Sequence, residues 1–288
     1  MAALRLRCAC NNQIRMHTTH HPDLVTPSAL GLLQSEMPAD RWMCDTPCLN
    51  LDDEKVQLRA QTLTQFVDST RAKVLAIFAF VQSLHYFPPG YHGVMTARQV
   101  LDRRGGHAYG KSTLFVALLR ASDIPARMRF VQVQGKVLRG LAPVAPAVDH
   151  AIVEVWLRGR WVRTDLHVYD GAYLLGATYK LREAGWRSGY GLHVKGAKSW
   201  NGISDAFISF APDQQGGTPL EDWGVYNDPD EFRRQQFKEN FAYDAIQGVR
   251  RLFYAPAMHR SIQKTRELGR ELREQRRALK RHSSTDTV

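Results

Sequence analysis

Several side chains able to do acid–base work fall on one predicted hairpin. His150-Ala151-Ile152-Val153-Glu154-Val155-Trp156-Leu157 alternates with period two, and Trp161-Val162-Arg163-Thr164-Asp165 returns after a turn at Gly159. Ala151, Val153, Val155 and Leu157 make one apolar face, which leaves His150, Glu154 and Asp165 to share the other. An imidazole beside a carboxylate is a general base with its tautomer held. A lone strand histidine, however, is more often a packing residue, and a lone aspartate more often a strand end. A tight turn at Gly159-Arg160 would set Glu154, rather than His150, directly opposite Asp165. Twist, a bulge or another register must therefore bring His150 to Asp165, or Glu154 competes for the orienting role. Trp156 and Trp161 read equally as cleft-wall packing or as substrate contacts.

A second group of polar residues opens a helix. His107-Ala108-Tyr109-Gly110-Lys111-Ser112-Thr113 runs into Leu114, Phe115, Ala117, Leu118 and Ala121, a segment apolar on nearly all sides and therefore central. Two helices precede it. One starts after Asp68-Ser69-Thr70 and places Val74, Ile77, Phe78, Val81 and Leu84 at helical spacing; the other runs from Thr96 to a stop at Arg104-Gly105-Gly106. A strand over Arg127–Val133 links the central helix to the hairpin.

Three of these segments, in this order, resemble the transglutaminase-like superfamily. Gly106-His107-Ala108-Tyr109-Gly110-Lys111-Ser112 is similar to its Gly-x-Cys-x-x-Lys-Ser helix opening. Leu118-Leu119-Arg120-Ala121 through Ile124-Pro125-Ala126-Arg127 is similar to its helix end and following turn, and the hairpin is similar to its His and Asp strands. The likeness spans roughly residues 68–170. It implies an α+β, papain-related fold: a helical lobe whose central helix packs on an antiparallel sheet. It also implies cysteine acyl-transfer or amide and peptide hydrolysis, with nucleophile, base and orienting acid at Ala108, His150 and Asp165. Asp123 stands where the family usually has glycine, a mild departure because Asp tolerates left-handed backbone better than most residues. Ala108 is the serious departure, since it occupies the position of the nucleophilic cysteine.

In such a site a thiolate at a helix N-terminus attacks an acyl carbon, His150 takes and returns the proton, and Asp165 holds the ring. A methyl at position 108 removes the nucleophile and leaves the rest. Ser112, one turn deeper, is expected to point into the core, and His107 is a poor substitute. Three readings follow: an acyl-transfer enzyme carrying an engineered Cys→Ala change, a natural pseudoenzyme that binds peptides or amides in the cleft, and a nucleic-acid or scaffold binder acting through a basic tail. The substrate expected for the first is a peptide, amide or thioester. No cofactor is implied, and no metal, because the acidic loops of the calcium-binding family members have no counterpart here.

The totals agree with one modest domain. The 288 residues carry 39 Lys plus Arg against 28 Asp plus Glu, a net +11. From Arg250 to Arg281 eleven basic residues face only Glu267, Glu271 and Glu274, so +8 of that excess belongs to the tail. A stripe of Ile262, Leu268, Leu272 and Leu279 is thin, which reads as a solvated helical extension, dispensable for the fold, with weak anionic contact as the alternative. Residues 1–50 read as a loosely structured arm, 51–255 as the domain, and 256–288 as the tail with a frayed end; helices are expected from Asp228-Pro229 to about residue 253 and over about 257–281. Residues 167–225 suggest short elements without clear assignment. Cys8, Cys10, Cys44 and Cys48 all precede residue 50, too clustered for a disulfide framework, and read as reduced thiols of a cytoplasmic protein. The opening residues lack the apolar stretch of a secretory leader, and no apolar run is long enough for a membrane span.

Overall fold

The computed structural model describes residues 39–88, 94–143, 145–211, 219–236 and 241–285. Most of the expected arm, including Cys8 and Cys10, lies outside the described residues. A short 3-10 turn, Ala39–Met43, leads to helix α1, Glu54–Thr64, capped by the Asp53 carboxylate on the amides of Lys55 and Val56. The sequence reading missed α1, because it buries only Val56 and Ala60 and shows little periodicity. Helix α2, Thr70–Ser83, starts where expected, with Ser69 Oγ accepting from the Ala72 amide, and buries Val74, Ile77, Phe78 and Val81.

A two-residue strand β1, His85–Tyr86, follows and pairs in parallel with β2, Gly105–Gly106. Between them lies α3, Ala97–Arg103, opened by a Thr96–Gln99 capping box. Its stop is Arg104 in left-handed backbone (φ 51°), not the glycine after it. Gly105 is needed for another reason: a Cβ there would lie 2.6 Å from the His85 carbonyl and 2.8 Å from the Phe87 ring. Helix α4, Ala108–Ala121, is the central helix, buried from Gly110 to Arg120. Asp123 leaves it at φ 58°, the left-handed backbone anticipated for that turn.

Four strands form one antiparallel sheet in the order β5-β4-β3-β8: β3 is Ala126–Gln134, β4 Ala147–Leu157, β5 Arg160–Thr164 and β8 Glu221–Tyr226. Met128, Phe130, Ala151, Val153 and Val155 join α2, α3 and α4 in the main core, while Val131, Val133, Ile152, Phe207 and Phe210 make a smaller cluster. A helical lobe against an antiparallel sheet is the α+β architecture expected. The stretch without assignment holds α5, Gly171–Glu183, capped by Asp170, and a small ribbon of β6, Ser188–Gly189, with β7, Leu192–His193.

The C-terminal region departs from the expectation most. Helix α6, Pro229–Gln236, is short, and α7 runs from Phe241 to Thr285 through Pro256, where a break was expected. Its middle packs on α5 and buries Met258, Ile262, Thr265 and Arg266. The two backbones touch: a Cβ on Gly176 would lie 1.9 Å from the Thr265 carbonyl, and one on Gly269 would lie 1.8 Å from the Ala172 carbonyl. This stretch is not solvated as expected, because small residues, not a wide apolar stripe, make the contact. Toward its end the helix stands clear, with Leu279 at 70% exposure. Among the described residues no helix is long and apolar enough to cross a membrane.

Candidate active site

Ala108 is the first residue of α4, and His107 before it takes extended backbone (φ −75°, ψ 176°) without capping the helix through its side chain. The first amides of a helix have no partner within it, and the helix dipole adds partial positive charge there. The Tyr109 ring stands edge-on to Phe130 at 5.4 Å, and Phe130 is the register partner of Ala151, the neighbour of His150. The helix thus begins over the face of the sheet that carries Phe130 and Ala151.

The next residues on α4 are tied down. Lys111 is wholly buried, and its Nζ donates to the carbonyls of Leu84 (2.8 Å) and Gln82 (3.3 Å). Burial, helped by nearby Arg266 and opposed by Asp170, brings its pKa down to about 7. Ser112 is buried as expected, but not idle: its Oγ lies 2.8 Å from His167 Nε2. Burial first, and the charge of Lys111 second, push His167 down to about 3, so it is a neutral imidazole at ordinary pH. Asp165 and His150 also act on that ring, which joins the second turn of α4 to the hairpin.

His150 Nε2 lies 2.9 Å from Asp165 Oδ2. Asp165 is fully buried, and two backbone amides complete its shell, Ile208 N–H to Oδ1 at 2.6 Å and Ser209 N–H to Oδ2 at 3.1 Å. Burial alone would raise its pKa, but the hydrogen bond and charge of His150, followed by the Ile208 amide and the Ser209 side chain, outweigh it and hold the carboxylate below its ordinary range. The expected register is corrected. The turn is Arg158-Gly159, both with positive φ, so Glu154 pairs with Arg163 rather than Asp165. β5 ends at Thr164, and Asp165 turns out of the strand (φ −123°, ψ 5°), on the diagonal toward His150.

Glu154 is engaged elsewhere. Its two oxygens accept from Arg127 Nε and Arg129 Nε, each at 2.6 Å, and Arg129 reaches on to Asp222 at 2.6 Å. Trp161 lies under the Arg127 guanidinium at 4.0 Å, with Trp42 on that guanidinium too at 5.3 Å. Trp156 packs edge-on to Trp161 at 5.1 Å.

Neither described thiol substitutes for the missing one. Arg120, near the far end of α4, donates to the Cys44 carbonyl, about 18 Å of helix away from Ala108. Cys48 is buried, and burial, with Asp228 and Asp230, pushes its thiol up to about 12. Two hollows lie away from the site: about 490 Å³ beside Trp156, Arg158 and Asp123, and about 840 Å³ between Lys55, Phe80, His85 and Leu101. Neither is lined by Ala108, His150 or Asp165.

Sequence reasoning missed His167 and the amides of Ile208 and Ser209. His167 had one usable signal, its place two residues after Asp165; backbone donors more than forty residues downstream had none.

Residues 57–166 match the transglutaminase-like superfamily. No curated protein matches the chain. Among solved structures, a candidate cysteine protease from Cytophaga hutchinsonii is similar at 22% identity over 51% of this chain and 46% of its own, with a TM-score of 0.38. The periplasmic domain of TgpA from Pseudomonas aeruginosa, bound to ethylmercury, is similar at 23% identity over 44% and 48%, with a TM-score of 0.34. A candidate protease from Parabacteroides distasonis is similar at 18% identity over 43% and 24%, with a TM-score of 0.32. The chain spans less than half the length of each of these structures.

Proposed function

We propose, from the premise that residues 57–166 form a transglutaminase-like domain, that this chain carries a cysteine acyl-transfer site with position 108 as the nucleophile, His150 as the base and Asp165 as its orienting acid. The observation that carries the reading is the bond between His150 Nε2 and a buried, ionised Asp165, which fixes the ring and leaves Nδ1 for a proton in transit. With cysteine at position 108, His150 takes the thiol proton and sulfur bonds to the acyl carbon. The tetrahedral oxyanion faces the amides at the start of α4. The C–N or C–S bond then breaks as His150 returns the proton to the leaving group, and water or an amine releases the acyl group. The substrate class is a peptide, a glutamine amide or a thioester. With Ala108 the chain has no nucleophile for this sequence of steps, which equally suits a cleft that binds such substrates without turning them over.

Restoring the sulfur tests both. Ala108→Cys is expected to give a thiol that alkylates with iodoacetamide at about pH 6, well below the ordinary thiol pKa of about 8.5. Hydrolysis or transfer on a thioester or glutamine-amide substrate should appear in that variant and vanish in Ala108→Cys/His150→Ala. A folded Ala108→Cys protein whose thiol stays unreactive from about pH 5 to 8 would leave the binding-only reading in its place.

A further inference from the structure

One side chain of the C-terminal helix reaches both halves of the site. Arg266 on α7 is buried at 2% exposure. Its Nη2 donates to Asp170 Oδ2 at 2.8 Å and to the Tyr86 carbonyl, Nε donates to the same carboxylate oxygen at 3.1 Å, and Nη1 donates to Gln263 Oε1 at 2.8 Å. Asp170 and Tyr86 are themselves joined, because the Tyr86 amide donates to Asp170 Oδ2 at 3.3 Å.

Each of the two partners borders one half of the site. Tyr86 ends β1 and pairs with Gly106 of β2; His107 and Ala108 follow directly. The Phe87 amide donates to the Gly106 carbonyl at 3.4 Å, and Lys111 holds the Leu84 carbonyl from the side of α4. Asp170 closes the short segment that begins at Asp165 and caps α5 through the Tyr173 amide at 3.0 Å. A single guanidinium therefore fixes the approach to position 108 and the exit from Asp165.

The way α7 docks delivers that guanidinium. The glycine contact between α5 and α7 sets the register of the pair, and a slip of one residue would turn Arg266 by about 100° away from Asp170. A buried ion pair is a poor source of net stability compared with well-packed apolar residues. What it adds is a fixed, two-pronged geometry.

We propose that Arg266 is a positioning residue: docking of α7 sets residue 108 against the His150–Asp165 pair through the Tyr86 carbonyl and the Asp170 carboxylate. This rests on the reading of residues 108, 150 and 165 as one site. Two arms test it. In the chain as it stands, Arg266→Gln should speed amide hydrogen exchange about tenfold at Phe87 and Tyr173 while leaving the β3–β4 ladder unchanged. In Ala108→Cys, adding Arg266→Gln should slow iodoacetamide alkylation about tenfold at about pH 6, with the rate recovering at higher pH, and Arg266→Lys should keep part of the low-pH rate. A folded Arg266→Gln protein with unchanged exchange and an unchanged alkylation profile overturns the proposal. If Arg266→Gln does not fold, Arg266→Lys is read alone, and an unchanged profile there is equally fatal. Should the thiol of Ala108→Cys itself titrate as an ordinary cysteine, the site reading fails instead. The exchange arm then still decides, by loosening at both segments or at neither, whether Arg266 braces them.

Discussion

Two buried carboxylates on the β4–β5 hairpin are neutralised in different ways. On β4, Glu154 faces Arg127 and Arg129, each 2.6 Å away, with indole faces on the Arg127 guanidinium. At the open end, Asp165 faces one imidazole and two backbone amides. Both pKa values are held low against burial, Glu154's chiefly by the two arginine charges and Asp165's chiefly by its bond to His150. The contrast separates a structural charge from a chemical one. Glu154 is saturated by permanent cations, which cannot release a proton at any working pH. Asp165 is matched by a ring that can gain or lose one.

The largest effect should come from breaking the saturated cluster. Glu154→Gln would take the shared carboxylate from two buried guanidiniums, a loss of about 3–5 kcal/mol in urea or thermal unfolding. Asp165→Asn should cost less, about 1–3 kcal/mol, because Asn keeps an acceptor in the same place. The ranking inverts for chemistry: in Ala108→Cys, Asp165→Asn should depress turnover by orders of magnitude. If Asp165→Asn proves the costlier for stability, the division drawn here is wrong.

Acid sensitivity should belong to the open end. His167 binds its proton only near pH 3 when folded and near 6.5 when unfolded, so the unfolded chain holds more protons between those values. The contribution of His167 to stability is complete above about 6.5 and should fall by up to about 1.4 kcal/mol per pH unit below it. Both carboxylates, with depressed folded values, add losses only below about pH 4. His167→Gln, which can still meet Ser112, should flatten the slope between about pH 4 and 6.5. A slope that survives the substitution would move the acid sensor elsewhere.

The smallest effect should lie at the exposed face of β5. Arg163 is the register partner of Glu154 yet pairs with Asp205 at 2.8 Å, and both side chains are partly exposed. Arg163→Ala should change stability by no more than about 1 kcal/mol, and less in high salt. A larger loss would mean that Arg163 serves the Glu154 cluster through space.

Much of the frame was legible because its signals are local. The Ser69 and Thr96 caps mark two helix starts, the unbroken apolar run after Thr113 marks the central helix, and the period-two run from His150 marks a strand. Elements anchored by few apolar residues were not legible: α1 buries two side chains, and the middle of α7 is held by Gly269 against Gly176, which no hydrophobic pattern reveals. In the site, the residue types and their order were readable. The identity of the carboxylate bonded to His150 was not, since a one-residue change in the turn moves every pair along the hairpin.

By itself the sequence determined the central helix, the hairpin, the polar face that bears His150 and Asp165, and the methyl at position 108. Each follows from periodicity or residue type within a dozen positions. Only the tertiary structure decided the Arg158-Gly159 turn, the shell that Ile208 and Ser209 build around Asp165, and the reach of Arg266 to Tyr86 and Asp170. The physical reason is that these are long-range backbone and ion-pair contacts. Their partners are fixed by where distant segments dock, and a backbone amide or carbonyl is the same group in every residue type that could carry it.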